Sequence, residues 1–313
     1  MPSPLQVFLI YLSLVMDDVN AQSFLPQNFT RWFWQNSVVA GNWLYIDGGE
    51  VWNNANIGSP TAVLNLTLAI DLSISWSNAT VSPKLTEKPL GFPLARHAPL
   101  WHDSIHNLIY AFGGWPYAGS PLTWPDNFTN DVGNPHQTVW HFQTDGYGSG
   151  AWRESSIQPV GIVPAFGALD ASSPHVFYSL GGGTVISNNV AWANPGLSVI
   201  NTQLEIWKNE SSAGYGGLGS NASPYGALGE AAFVPMFGDQ GVVVFVGGYT
   251  PSSQEFAFDL DPGSRPSNMS AITVYDIATG TFAQQTATGT IPPGRWAFCM
   301  VGVSDASNKS YDM

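Results

Sequence analysis

Residues 242–248 read Val-Val-Val-Phe-Val-Gly-Gly, an apolar run that ends in a glycine pair, and three other stretches of the chain have the same form. The first glycines of the four pairs lie 65, 68 and 66 residues apart, and the pairs are Gly48 and Gly49, Gly113 and Gly114, Gly181 and Gly182, and Gly247 and Gly248. Short apolar runs are common in β proteins, but four runs that share one ending and one period indicate an internal repeat. Their β-branched and aromatic residues predict that each run is a strand.

Two further sequence features recur at the same period as the glycine pairs. Upstream, Arg31 and Arg96 each lie 17 residues before the first glycine of their pair, and each opens a stretch that reads as a strand. Downstream, a strand ends in a turn-forming Asp or Asn, and an aromatic residue follows five to seven residues later; these pairs are Asp71 and Trp76, Asp145 and Trp152, Asn201 and Trp207, and Asp276 and Phe282. Each repeat therefore predicts four short strands, the last of which carries the aromatic residue.

Four-stranded units repeated along a chain are typical of β-propeller blades, whose apolar faces are buried against neighbouring blades. An apolar run into Gly247 and Gly248, followed by Tyr275-Asp276 and then by Phe282, resembles the kelch repeat, and the resemblance covers roughly residues 31–303. The N-terminal leader, the glycosylation sequons and the abundant Trp are similar to those of fungal extracellular kelch-repeat proteins. The resemblance implies an all-β, kelch-type β-propeller of the galactose oxidase/kelch-type superfamily.

The repeat also predicts how the chain is organised. Residues 1–21 are expected to be a signal peptide and residues 22–313 the propeller, with units at about 31–90, 91–160, 161–225, 226–292 and a partial fifth at 293–313. Kelch propellers usually have six or seven blades, so the resemblance implies an incomplete ring, that is, a fragment. The alternative is a small propeller in which the tail completes the ring.

The N-terminus and the sequons both predict secretion. An apolar run from Val7 to Met16 is too short to span a bilayer, and Val19 and Ala21 suit cleavage after Ala21, although a hydrophobic N-terminal strand is the alternative. Asn-X-Ser/Thr sequons occur at Asn28, Asn65, Asn78, Asn127, Asn209, Asn221, Asn268 and Asn308. The protein is therefore expected to be a secreted, extracellular glycoprotein, at the cell surface or in the cell wall. Within this chain no segment is expected to span a membrane.

The composition limits the class of partner. The formal net charge is −13, only 10% of residues are charged, and no basic cluster is present, so nucleic-acid binding is not expected. Cys299 is the only cysteine, which allows no intrachain disulfide, and its apolar neighbours predict a buried, inert thiol.

The longest predicted loop is the best candidate for ligand binding. Residues 115–137 combine aromatic side chains with Asp and Asn, and the candidate contacts are Trp115, Tyr117, Trp124, Phe128 and His136. Such side chains could stack on and hydrogen-bond a sugar, or anchor a protein partner. The alternative is that the aromatic residues pack within the loop itself.

No catalytic, cofactor-binding or metal-binding residue is assigned. Galactose oxidase needs a copper ion held by His and Tyr ligands, one Tyr being cross-linked to a Cys, and no motif here places a Tyr beside Cys299. His97, His102 and His106 are close in sequence but lack zinc-motif spacing, so packed or solvated side chains are expected.

The expected function is therefore a kelch-repeat binding or interaction protein whose loops contact an unidentified protein or carbohydrate ligand. One alternative is a carbohydrate-active or galactose-oxidase-like enzyme whose catalytic residues lie outside this sequence. The other is a non-functional truncated product. Neither the ligand nor the oligomeric state follows from the sequence.

Overall fold

A computed structural model describes residues 29–53, 62–77, 80–116, 138–160, 167–187, 190–194, 196–211, 227–250, 255–257, 265–305 and 310–312. These ranges contain strands and turns and no helix. Four antiparallel sheets follow one another along the chain, and the first strands of successive sheets lie against each other. The described part of the chain thus forms four blades of a β-propeller, as the repeat predicted.

The first blade has the order β1-β2-β4-β5, with β3 paired to β2, and the strands are β1 (Phe29–Ala40), β2 (Trp43–Asn53), β3 (Ala62–Val63), β4 (Leu66–Asp71) and β5 (Lys84–Glu87). The turn between β1 and β2 needs only Gly41 and Asn42, because Gly41 adopts a positive φ of 60°. The two strands that this short turn joins are long, and β2 continues through the first glycine pair.

The second blade has the order β7-β8-β10-β11. Its part of the chain contains β6 (Ala95–Arg96), β7 (Leu100–Asp103), β8 (Leu108–Ala111), β9 (Trp115–Pro116), β10 (Trp140–Thr144) and β11 (Gly150–Glu154), and β6 pairs with β9. The third blade has the order β12-β13-β16-β17, and its part of the chain contains β12 (Leu169–Ser172), β13 (Val176–Leu180), β14 (Gly183–Ser187), β15 (Val190–Ala193), β16 (Leu197–Asn201) and β17 (Ile206–Glu210).

The fourth blade has the order β18-β19-β23-β24. Its part of the chain contains β18 (Glu230–Val234), β19 (Val242–Val246), β20 (Tyr249–Thr250), β21 (Glu255–Ala257), β22 (Arg265–Pro266), β23 (Ala271–Asp276) and β24 (Thr281–Thr286), and β25 (Val303–Ser304) and β26 (Tyr311–Asp312) follow as a hairpin. Strand β21 pairs with β15, so the connections that follow the third and fourth glycine pairs share one small sheet.

The core lies between the blades. Between the second and third blades, the Trp101 ring stacks on Phe177 at 4.3 Å, and Trp207 lies edge-on to Phe112 at 4.9 Å. Equivalent clusters join the first blade to the second and the third to the fourth. The predicted aromatic residue lies in the fourth strand of three blades and packs between blades there, but Trp76 lies in the turn before β5 and packs on the outer face of the first blade.

Both glycines of every pair adopt a positive φ, from 62° to 86°. Only glycine enters this region without strain, which is why the repeat keeps its sequence signature. Packing adds a second requirement, because a Cβ on Gly114 would lie 2.6 Å from the Cβ of Ala95.

Each unit also has one left-handed residue, which lies within the first strand of the first blade, shortly before the first strand of the next three blades, and in the segment after β24. These residues are Trp34, His97, Gly167, Leu228 and Ala297, with φ between 52° and 65°. The His97 N–H donates to the Trp34 carbonyl at 2.9 Å, and the Ala297 N–H donates to the Leu228 carbonyl at 2.8 Å. These bonds join the second unit to the first and the start of the fifth unit to the fourth. Ala297 shows that the feature continues into a fifth unit.

The segment after β24 packs on the fourth blade. Met300 and Tyr311 cover its outer apolar cluster, and the Tyr311 hydroxyl donates to the Phe233 carbonyl at 2.9 Å. The prediction that Cys299 is buried is wrong, because this residue is exposed. Residues 296–301 form no strand, and Cys299 precedes the residue that packs inwards. The pKa of Cys299 is raised, first by partial desolvation and then by Glu230.

Candidate functional site

The alternation of strands gives the propeller two different faces. The turns between first and second strands and between third and fourth strands lie at one edge of every sheet, here called the turn face. The connections after the glycine pairs and those between blades lie at the opposite edge, here called the loop face. Loops that a rigid scaffold positions are where binding residues concentrate.

An arginine on the loop face is held by two aromatic rings. Arg31 and Trp52 are cross-strand partners in β1 and β2, and Phe33 lies two residues along the same side of β1. The Arg31 guanidinium lies 4.9 Å from the Phe33 ring centre and 4.7 Å from the Trp52 ring, and the two rings are perpendicular. Among the described residues, no carboxylate lies within ion-pair distance of Arg31. Within the described ranges, no carboxylate thus competes with a ligand for its N–H donors.

A second arginine lies beside this one, at the boundary between the first and second blades. The Arg96 guanidinium lies 4.9 Å from the Trp34 ring centre and forms an ion pair of 3.1 Å with Glu50. The His97 ring packs on Trp34 at 5.7 Å. Burial, and after it the charge of Arg96, lower the pKa of His97 to about 4, so this imidazole is neutral at physiological pH. Burial raises the pKa of Glu50, and the charge of Arg96 and a hydrogen bond with the Trp52 side chain partly offset this rise.

This group of six residues is called the arginine–aromatic cluster: Arg31, Phe33, Trp34, Glu50, Trp52 and Arg96. Phe33 is 36% exposed and Trp34 is 40% exposed, so flat aromatic surface lies next to a fixed guanidinium. A guanidinium offers parallel donors that match a carboxylate, sulfate or phosphate, and the aromatic faces accept a ring or an apolar side chain. The chemistry of the cluster matches a ligand that carries an anionic group next to a ring or an apolar group.

Two carboxylates lie on the first strands of the third and fourth blades, which contact each other. Asp170 lies in β12 and Glu230 begins β18. Burial raises the pKa of Asp170 to about 7, although a hydrogen bond with Ser179 acts to lower it. Burial, and after it the charge of Asp170, raise the pKa of Glu230 to about 8. These two strands therefore hold acidic groups that retain protons near neutral pH.

One curated protein resembles the chain over most of its length. A protein described as "Kelch repeat-containing protein" from Arthroderma benhamiae is 25% identical over 309 residues, which cover 90% of this chain. The chain is thus similar to a kelch-repeat protein. The match covers only 43% of the relative, so the chain spans less than half of that protein.

A solved structure shares this architecture. The structure titled "Structure of YjhT" superposes with a TM-score of 0.55 and 12% identity, covering 90% of this chain and 80% of that one. This likeness shows the fold alone. No family model matches the sequence.

The loop predicted to bind ligand begins next to the cluster. Trp115 pairs with Arg96 across β6 and β9. The side chain of Trp115 and the residues Tyr117, Trp124, Phe128 and His136 lie outside what the structure describes. The predicted contacts thus stay a prediction. The sequence analysis missed the cluster itself, although the run Arg31 to Trp34 was a signal, since Arg and Trp are frequent in binding hot spots.

Arg31 and Arg96 lie at the same distance in sequence from their glycine pairs, but they occupy different positions in their blades. Arg31 lies three residues before the left-handed Trp34, whereas Arg96 directly precedes the left-handed His97. The reason is the first turn of each blade, which has two residues in the first blade and four in the second.

The three described sequons lie towards the loop face and are exposed. Asn65 and Asn268 precede the third strands of their blades, and Asn209 lies near the end of a fourth strand. The other five sequons, and residues 1–28 with the expected signal peptide, lie outside the described ranges.

The three histidines close in sequence do not converge. His97 packs on Trp34, the His102 ring bonds the Asn107 side chain at 3.1 Å, and His106 bonds the Asp103 carboxylate at 2.7 Å. In the described ranges, no group of three His, Cys, Asp or Glu is placed to hold a metal ion. The same ranges include no helix with the length and hydropathy of a membrane span.

Proposed function

We propose that this chain is a secreted binding protein whose loop face recognises an anionic ligand. A kelch-repeat propeller indicates a binding or protein-interaction role. The observation that supports the loop face is the Arg31 guanidinium, which two rings fix without an ion-pair partner in the described residues. In a chain with 9 basic and 22 acidic residues, such an arginine marks a place selective for an anion.

The ligand is a protein or a carbohydrate that carries a carboxylate, sulfate or phosphate group. Its anionic group would bind Arg31, and an adjacent ring or apolar group would lie against the exposed faces of Phe33 and Trp34. Because the protein has fixed the guanidinium in advance, binding orders few new side-chain torsions.

The test compares two arginines. Binding of soluble acidic oligosaccharides and of acidic peptides is followed through the fluorescence of Trp34 and Trp52. Arg31→Gln should weaken binding about tenfold or more, since a hydrogen bond to a charged group contributes about 1.5–3 kcal/mol. Arg153→Gln is the matched control, because Arg153 is exposed in β11 and its replacement removes the same charge. Equal losses in both variants would contradict the proposal.

Secretion and glycosylation belong to the same proposal. They rest on the N-terminal apolar run and the eight sequons, three of which are exposed in the structure. Enzymatic release of N-glycans in heavy-oxygen water, followed by mass spectrometry of the secreted protein, should label Asn65, Asn209 and Asn268. Retention in the cell, with all three asparagines unlabelled, would refute it.

A further inference from the structure

The turn face carries a large apolar side chain from every blade. These side chains are Ile74, Ile105, Tyr147, Leu204 and Phe237, which are 62%, 54%, 74%, 63% and 54% exposed. All five lie in turns between strands, where small or polar residues are usual. Their side chains add little to the core.

The backbone beneath these side chains is fixed. The N–H groups of Ile105, Tyr147 and Leu204 donate to the side-chain oxygens of Asp103, Asp145 and Asn201 at 2.9, 2.7 and 2.9 Å. These bonds explain the turn-forming Asp and Asn that recur in the repeat. Exposed side chains on a fixed backbone lose little conformational freedom on binding, which favours docking.

Neighbouring turns are also joined to one another. The Thr202 hydroxyl donates to the Asp103 carboxylate at 2.5 Å, and the Ser104 N–H donates to the Pro174 carbonyl at 2.9 Å. Both bonds cross from the second blade to the third. The apolar side chains of these blades therefore keep fixed relative positions.

The charge of the turn face is the opposite of that at the arginine–aromatic cluster. The turns and the strand ends that enter them contain five carboxylates that are not buried, at Asp71, Asp145, Glu205, Asp239 and Asp276, and the eight turns contain no Lys or Arg. Hydrogen bonds from Ser73 lower the pKa of Asp71 and favour its charged form. Among the described residues, the cation at this edge is Lys84, which lies 5.3 Å from the Trp43 ring centre.

We propose that the turn face is a second docking surface, for a protein partner that presents a basic amphipathic segment. The exposed apolar side chains would contact the apolar side of the segment, and the carboxylates would attract its Lys and Arg residues. This proposal rests on the proposed function in one respect, that the chain is a binding protein. It concerns the opposite face of the propeller and involves no residue of the arginine–aromatic cluster. An anionic lipid surface is disfavoured, because the carboxylates would repel it.

The probe is a fluorescent peptide of about 18 residues with Leu and Lys at helical spacing, and its matched control replaces every Lys by Glu. Fluorescence anisotropy with the full chain measures affinity. The double variant Tyr147→Ser/Leu204→Ser should weaken binding of the Lys peptide about tenfold. Leu90→Ser is the control, since Leu90 is fully exposed between β5 and β6 on the loop face and should leave affinity unchanged.

Charge is tested separately. Glu205→Lys/Asp239→Lys should weaken binding about tenfold, and the matched pair Glu87→Lys/Glu154→Lys, at exposed positions in outermost strands, should have a far smaller effect. Equal effects would show attraction by net charge alone and would overturn the proposal. It would also be overturned if the Glu peptide bound equally well, if Tyr147→Ser/Leu204→Ser kept full affinity, or if phosphatidylcholine vesicles displaced the Lys peptide.

The experiments can refute either of the two proposals without refuting the other. Arg31→Gln should weaken anionic-ligand binding about tenfold or more and leave the affinity for the Lys peptide unchanged. Loss of the Lys peptide in Arg31→Gln would overturn the second surface, whereas failure of every acidic ligand would refute the loop-face proposal alone.

Discussion

Replacing Asp170 by Asn should change how the stability of the propeller depends on pH. Asp170 has a pKa of about 7 in the folded chain against 3.8 for the ordinary group, because burial disfavours its charged form. Between about pH 4 and pH 7 the unfolded chain has released this proton and the folded chain still holds it. The stability contributed by the neutral carboxyl is therefore complete below about pH 4 and is lost as the pH rises through about 7.

The magnitude follows from the two pKa values. Each pKa unit corresponds to about 1.4 kcal/mol, so the ionisable side chain costs up to about 4 kcal/mol of unfolding free energy at pH 8. Asp170→Asn should match the wild type near pH 4 and exceed it by up to that amount near pH 8. Glu230, whose pKa is raised to about 8, leaves a residual pH dependence in the variant.

Urea unfolding, followed by Trp fluorescence at several pH values, measures this difference. Asp239→Asn is the matched control, because Asp239 lies in an exposed turn, and its stability should follow the wild type at every pH. A constant difference between Asp170→Asn and the wild type over the whole pH range would refute the reasoning, since it would mean that Asp170 does not titrate differently on folding.

Two further predictions concern the packing of the blades. Gly114→Ala should lower the free energy of unfolding by about 1–3 kcal/mol more than Gly146→Ala does. Both glycines have a positive φ, but only a Cβ at Gly114 would collide with a neighbour, at 2.6 Å from the Cβ of Ala95. Comparable losses in urea titrations would contradict this. Lys88→Met should cost about 3–5 kcal/mol, because the Asp47 carboxylate, 2.7 Å from the ammonium, stays buried without its cation. Adding Asp47→Leu should recover most of that loss, and a double variant as unstable as Lys88→Met would exclude this cause.

Some features of the fold were predictable because one local requirement recurs in every blade. The glycine pairs mark positions where the backbone needs a positive φ twice in succession, and few residue types meet that need. The Asp and Asn at the ends of third strands accept N–H groups of the following turn, which again limits the residue type. These constraints are local, so they appear in the sequence at the period of the blade.

Other features depend on contacts between distant segments. Trp76 fits the spacing of the repeat but lies in a turn, because the fourth strand of the first blade begins later, at Lys84. Cys299 has apolar neighbours in sequence, yet it is exposed because its segment packs on the fourth blade through the next residue. Arg31 and Arg96 have equal spacing but unequal positions, since the turns that precede their glycine pairs differ in length.

The sequence by itself predicted a β-propeller built from repeated four-stranded blades, because period, glycine pairs and turn residues follow from local backbone geometry. It also determined the net charge of −13, but not where the charges lie. Only the tertiary structure placed Arg31 between Phe33 and Trp52, and only the alternation of strands sent the turn carboxylates to the opposite face. The physical reason is that a binding surface is assembled across strands and blades, from residues whose separation in sequence carries no information about their separation in space.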